Sequence, residues 1–315
     1  MVADKGYTCV MSIASTIIPI FIIIFLGLFA KHKGFLSPDF LSQANRLVYY
    51  IAIPAMIFSA ISKASLKTQM NLSVILVTLF TLVVITIIAW GSTHFLKIAA
   101  SSKGTYIQCS FHGNLGYIGL AVAFYYLGDS GFVKTAIIAG FVMILQNILA
   151  VIALQYHSQD NSGHPRITKT LKKTMANPVI LSALAGMLFS LLNIPMPLIL
   201  DRALVILKGM ALPLALLIIG ASLSFEKFKP RFVLVLIATF SKIIITPAIG
   251  LFVFLSLSIP PGDYLPGLII LAAPTATLTY IMAKEIGGDP DFAVAAISIC
   301  TILSSVTYGM WLSLG

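Results

Sequence analysis

Two short stretches place helix breakers beside polar side chains inside otherwise apolar sequence. In Ser110–Leu120 (SFHGNLGYIGL), Gly113, Gly116 and Gly119 surround Asn114, with His112 adjacent. In Leu271–Tyr280 (LAAPTATLTY), Pro274 precedes Thr275, Thr277 and Thr279. Proline lacks an N–H and clashes with the preceding turn, and glycine permits unwound backbone. If two helices break at these points and the breaks meet, two half-helix N-termini face each other. Their free N–H groups and positive dipole ends favour an anion. Asn114, Gly113, Gly116, Pro274, Thr275 and Thr277 are then the candidate binding residues, with His112 beside them. The competing use of such glycines is close helix packing, common in membranes.

Ionisable groups inside a membrane are expensive and mark function. Lys242, in FSKIIITP (240–247), lies about eleven residues from either end of its apolar run, too deep for easy snorkelling. It is a candidate substrate counter-ion or coupling group; the alternative is a structural ammonium bonded to helix carbonyls. Gln146 and Asn147 are polar and deep in another apolar run, so at least one should face the bundle interior. None of the ten acidic residues falls at mid-span. A cation/proton antiporter needs a buried carboxylate there, so that chemistry is disfavoured. Cys9, Cys109 and Cys300 have no metal or redox spacing, and His157 and His164 fall in a polar connector. No metal or cofactor is expected. Neither HExxH nor GxSxG occurs, which argues against an intramembrane enzyme.

The elements that must position these groups follow from composition. Of 315 residues, 59% are hydrophobic and 10% charged, with a mean hydropathy of +1.02. A soluble domain carries about 25% charged residues. The apolar residues form ten runs of the length that crosses a bilayer: 13–30, 40–61, 71–94, 105–127, 132–156, 177–193, 198–222, 231–258, 264–285 and 290–313. The expected class is an all-α integral membrane protein of ten transmembrane helices. In such a protein the net charge of +10 reports orientation rather than nucleic-acid binding. Alternate loops hold 13 Lys and Arg on one side and 5 on the other, so the first side is cytoplasmic. The connector 157–174 is then cytoplasmic, both termini lie outside, and the chain is a multi-pass protein of the inner (plasma) membrane.

The halves repeat. At an offset of 159, Pro19, Pro38 and Pro54 pair with Pro178, Pro197 and Pro213, and Gly27 and Gly91 with Gly186 and Gly250. At an offset of 160, LGDSGF (127–132) matches GGDPDF (287–292), and Asn114 meets Pro274. Each repeat, 11–156 and 175–315, holds five helices, so the second enters the membrane inverted. Inverted repeats with broken helices at matching positions are typical of secondary transporters. The broken fourth and ninth helices are expected to cross at mid-membrane.

The stretches NRLVYYIAIPAMIF (45–58), GNLGYIGLA (113–121), NPVILSALAGM (177–187), MALPLALLIIGASLS (210–224), SKIIITPAIGL (241–251) and APTATLTYIMAKEIGGD (273–289) together resemble the auxin efflux carrier family, in a bacterial form. The resemblance spans nearly the whole chain. It implies relationship to the plant PIN auxin carriers and, more remotely, to the bile-acid symporter and sodium/proton antiporter fold. It further implies a scaffold of helices 1, 2, 6 and 7, a transport domain of helices 3–5 and 8–10 moving as an elevator, and a homodimer through helices 2 and 7. Asn114 and Pro274 match the family's crossover residues, and Gln146 and Lys242 resemble its polar support site. The third-helix aspartate of plant carriers is missing, which leaves proton coupling through that carboxylate without a carrier group. Bacterial members are associated with small organic anions such as malate or malonate. The expected partners are therefore such an anion and the lipid bilayer, with no nucleic acid. Sodium-coupled symport of the bile-acid type and an anion channel are the competing functions.

Overall fold

Apolar runs of this length hydrogen-bond their own backbone as helices, because lipid offers no partners. The computed structural model describes residues 2–158, 176–226 and 231–314, with side chains from Ile13 onward except that of Lys67. Most of the connector at 157–174 lies outside the described residues. Among those described, every regular element is helical. In chain order they are α1 (Val2–His32), α2 (Pro38–Leu47), a π-turn (Val48–Ala52), α3 (Ile53–Ser62), α4 (Leu66–Gln69) and α5 (Leu72–Ser92). Then come α6 (Ala100–Phe111), a second π-turn (Leu115–Gly119), α7 (Leu120–His157), α8 (Pro178–Leu191), α9 (Leu198–Gly209) and α10 (Ala211–Ser222). The chain closes with α11 (Phe232–Phe240), a third π-turn (Ser241–Ile245), α12 (Thr246–Ser256), α13 (Pro261–Ala272), α14 (Leu278–Ile286) and α15 (Pro290–Ser313).

Local signals set the boundaries. Ser37 accepts the Phe40 amide and Asn177 the Val179 amide, each followed by proline at the first helical position. Asp289 does the same for Phe292 ahead of Pro290. Two of the π-turns run straight into a proline-bearing turn, at Pro54 and Pro247. The proline ring clashes with the carbonyl four residues back, and the wider turn makes room for it. Gly128 takes φ +67°, dividing α7 into two helices at the point where the sequence separates 105–127 from 132–156.

Seven helical stretches among the described residues are long and apolar enough to span a bilayer, and Pro178–Leu191 is a shorter apolar one. The chain is thus a multi-pass helical membrane protein. The count falls below ten for a physical reason. Leu115–His157 is one continuous stretch across its bend, and the runs at 105–127 and 264–285 are each interrupted, leaving pieces too short to qualify.

Two helix pairs make the most extensive packing: α1 with α10, and α3 with α8. Both depend on glycine. A Cβ on Gly27 would overlap the Leu217 carbonyl, and one on Gly220 the Ile24 carbonyl, so α1 and α10 touch backbone to backbone. A Cβ on Gly186 would lie 3.0 Å from Ile61 Cβ on α3. In α5, where apolar residues point all round, Thr78, Thr81 and Thr86 satisfy their buried hydroxyls on the carbonyls of Val74, Val77 and Leu82.

Candidate functional site

The two interruptions meet. His112–Asn114 separates α6 from the second π-turn, and Ala273–Thr277 separates α13 from α14. Gly113 and Thr275 form an isolated antiparallel bridge. The Asn114 amide donates to the Pro274 carbonyl at 2.7 Å, and the Ala276 amide to the His112 carbonyl at 2.9 Å. Each unwound strand thus supplies hydrogen bonds that the other lost on leaving its helix. Proline suits position 274, where the backbone accepts and is not required to donate.

Side chains brace this crossing. Gln146 clamps Gly113, its Oε1 accepting the amide at 3.1 Å and its Nε2 donating to the carbonyl at 3.3 Å. Thr275 donates its hydroxyl to the Cys109 carbonyl at 3.0 Å. Lys242 is 1% exposed, and its Nζ donates to the Leu271 carbonyl at 2.7 Å. That carbonyl belongs to the last turn of α13, where a cation complements the negative end of the helix dipole. The Lys242 chain passes beneath Gly113, where a Cβ would sit 3.3 Å from its Cε. Trp311 donates to the Ile243 carbonyl at 2.8 Å and fixes the π-turn that carries Lys242.

In front of the crossing lies a cavity of about 340 Å³. Of the ten residues singled out in the sequence, His112, Gly113, Asn114, Gly116, Gln146, Asn147 and Thr277 line it. Pro274, Thr275 and Lys242 do not; they form the strut behind. Gly116 is on the wall, whereas Gly119 lets α13 approach, since a Cβ there would lie 3.3 Å from Ile270 Cδ1. Close packing is therefore the use of Gly119, and it applies at Gly113 as well, where Lys242 passes beneath. Asn45, Arg46, Tyr49 and Asn177 also line the cavity, and sequence reasoning did not single them out. Arg46 falls within the 40–61 run. A polar Asn-Arg pair ahead of two tyrosines in an apolar helix was the available signal.

The wall gathers hydrogen-bond donors without acceptors. Both second half-helices, at Leu115 and Leu278, begin on it. Among the described residues, the amides of Gly116, Tyr117, Thr277 and Leu278 donate to no protein acceptor. Asn114 is 6% exposed and its Nδ2 donor has no partner; neither has Oδ1 of Asn147. His112 is engaged elsewhere, with Nδ1 3.1 Å from Gln108 Nε2 and its ring stacked on Phe111. Among the described residues no Asp or Glu lines the cavity, and Arg46 is the one formal charge on it. Among the described residues no cluster of His, Cys, Asp and Glu is arranged to hold a metal.

A second, shallower cavity of about 360 Å³ is lined by Ser59, Lys63, Gln69, Asp129, Ser130 and Lys208. Lys63 pairs with Asp201 there, and Gln69 with Ser130. Asp289, 160 residues on from Asp129, instead gathers Ser102, Arg231 and the Phe292 amide.

The family model described as "Membrane transport protein" matches residues 12–312. The chain is 25% identical over 302 residues to a Rhizobium meliloti protein described as "Putative malonate transporter", with 94% of this chain and 93% of that protein covered. It is 23% identical over 312 residues to an uncharacterized transporter of Methanothermobacter thermautotrophicus, covering 96% and 98%. It is also 24% identical over 299 residues to an uncharacterized transporter of Methanocaldococcus jannaschii, covering 93% and 95%.

Proposed function

This chain belongs to the membrane transport protein family of auxin efflux carriers, and from that premise we propose that it is a secondary transporter of small organic carboxylate anions. The observation that carries this reading is the cavity wall, on which two half-helix N-termini and the unpartnered Asn114 Nδ2 converge with no carboxylate nearby. A carboxylate docking there would accept from Asn114 and the free amides of both half-helices, the arrangement that favours anions at helix N-termini. Aromatic acids of the auxin type and diacids of the malate or malonate type both carry the required group. The Rhizobium meliloti relative points toward the latter.

Alternating access would come from two inverted repeats, 11–156 and 175–315, with the connector 157–174 cytoplasmic and both termini outside. The glycine contacts support this symmetry. Gly27 and Gly186 are repeat partners, and each lets the first helix of its half press on the second helix of the other half. That interlocked set, α1, α2–α3, α8 and α9–α10, is the scaffold in our reading. The crossing with its surrounding helices is the elevator that slides against it. The scaffold would also carry the homodimer contact, through α2–α3 and α9–α10.

Sodium-coupled symport is the second reading, favoured by Asn147 Oδ1, a buried acceptor without a donor on the same wall. The deciding experiment is a thermal-shift screen of the purified protein against organic acids with and without sodium, followed by counterflow of the best ligand in proteoliposomes. Ligands that bind the folded state raise its melting temperature. Stabilisation by carboxylates and saturable counterflow are expected. Stabilisation only by uncharged or cationic solutes overturns the carboxylate reading, and flux without counterflow identifies a channel.

A further inference from the structure

Arg46 is a charge on the cavity wall to which the carboxylate reading gives no task. It lies in the last turn of α2 and lines the same cavity as Asn114. Among the described residues it has no ion-pair or hydrogen-bond partner, and the cavity holds no carboxylate to neutralise it. The next residues hold its wall in place. Asn45 accepts the Tyr117 hydroxyl at 2.7 Å, which ties α2 to the π-turn after the crossing. Tyr49 and Tyr50, three and four residues on, pack edge to face with centroids 5.0 Å apart and face the cavity on the same side.

The cavity therefore presents two anion-seeking features carried by different elements. One is the pair of half-helix N-termini with Asn114, which suits one carboxylate. The other is a guanidinium, whose planar fork matches a second carboxylate with two parallel N–H···O bonds. A monoacid would satisfy one and leave the other without a carboxylate. A diacid satisfies both, and its two charges exceed what the N-termini alone would balance. We propose that Arg46 is the second carboxylate anchor of this site and that it selects dicarboxylates over monocarboxylates. The proposal rests on the carboxylate reading and adds to it the residue that sets the choice between diacid and monoacid. Because Arg46 belongs to the scaffold and Asn114 to the moving part in that reading, a diacid would bridge the two bodies in the state described here. A ligand stabilises the conformation it contacts more, so diacids would hold the protein in this state more strongly than monoacids do.

The test uses full-length protein in proteoliposomes, with malonate and succinate each compared with its own monoamide as competitors of counterflow. The amide keeps the shape and removes one charge. For wild type, a diacid should compete at about tenfold lower concentration than its monoamide or better, as a charge-assisted bidentate pair requires. Arg46→Gln should abolish that preference while the monoamides compete as before, and Arg46→Lys should keep part of it. Arg46 is exposed, so the Gln variant should melt as wild type does. Should it not purify, the reduced preference of Arg46→Lys carries the result, and an unreduced one counts against the proposal. Wild type that treats diacid and monoamide alike, or Arg46→Gln that still prefers the diacid, overturns the anchor and leaves the carboxylate reading standing. Wild type that responds to no carboxylate of either kind overturns both.

Discussion

The backbone amide of Asn114 donates to the carbonyl of Pro274 at 2.7 Å, although the two residues stand 160 positions apart. The bond joins two positions that an offset of 160 residues pairs in the sequence. It uses only main-chain atoms, so the Asn114 side chain is left free to face the cavity. Its Nδ2 stays unpartnered while the backbone beside it is fully employed.

Asn114→Ala should therefore separate transport from folding. The variant loses a side-chain donor that no protein atom uses, so its melting temperature should stay within a few degrees of wild type. Counterflow of the best carboxylate should fall at least about tenfold, the loss of one hydrogen bond to a charged group. Wild-type uptake by this variant would remove the crossing from the site.

Lys242→Met tests the strut. The ammonium satisfies the Leu271 carbonyl at the end of α13, and methionine leaves that buried acceptor empty. We expect a loss of about 1–3 kcal/mol of stability, read as a lower melting temperature, together with reduced transport rate. Substrate KM should change little, since Lys242 is behind the cavity wall rather than on it. A large rise in KM with unchanged melting would return Lys242 to direct substrate contact.

Gly220→Ala should be among the most damaging single-methyl additions in the chain, because its Cβ would overlap the Ile24 carbonyl across the α1–α10 contact. Backbone cannot yield as a side chain can, so overpacking should cost about 1–3 kcal/mol or more. Gly209→Ala meets nothing within 4 Å and serves as the control. Equal melting of the two variants in detergent would contradict the close approach.

Asp289 supplies a pH signature. Burial alone would raise its pKa, but the Ser102 hydroxyl, the Phe292 amide and the Arg231 guanidinium outweigh it and hold the carboxyl below its ordinary value. The folded value lies below the unfolded one, so this stabilisation is complete above about pH 4 and is lost as pH falls through the folded value. Wild type should melt higher than Asp289→Asn near neutral pH, with the gap closing in acid below about pH 4. A gap that is constant with pH would assign the effect to packing rather than charge.

Orientation can be read by labelling in a cysteine-free background. A cysteine at Lys33 should react only with reagent on the cytoplasmic side, and one at Thr68 only from outside. The motive is the asymmetry of basic residues between alternate loops. Reaction of both from one side would contradict the assigned orientation.

The crossing was legible in sequence because its determinants act locally. Pro274 forbids a helical hydrogen bond wherever it sits, and the glycines around Asn114 mark backbone freed from the same ladder. Repeat spacing then aligned the two. The division of labour between wall and strut was not legible. Thr275 and Thr277 are two residues apart on unwound chain, yet one hydroxyl bonds Cys109 behind the crossing and the other residue faces the cavity. Arg46 escaped for a different reason. Charge counting treats basic residues near span ends as solvated, and only the packing of α2 against the second π-turn places this one on a shared cavity. Lys242 carried two open roles in the sequence, and the Leu271 carbonyl decides where its ammonium points.

The glycine-mediated contact between α1 and α10 also has a bearing on biosynthesis. Gly27 and its partner Leu217 are 190 residues apart in the chain. At roughly 5–20 residues per second, the first helix emerges from the ribosome about 10–40 s before the surface it fits exists. During that interval its flat, glycine-cut face is exposed to lipid and to the insertion machinery with nothing matched to fill it. A nascent chain halted at the central connector would hold the first helix of one half without the second helix of the other. Whatever shields that face in the meantime must let go once residues near 220 arrive, so the last stage of assembly is an exchange of partners rather than a first encounter.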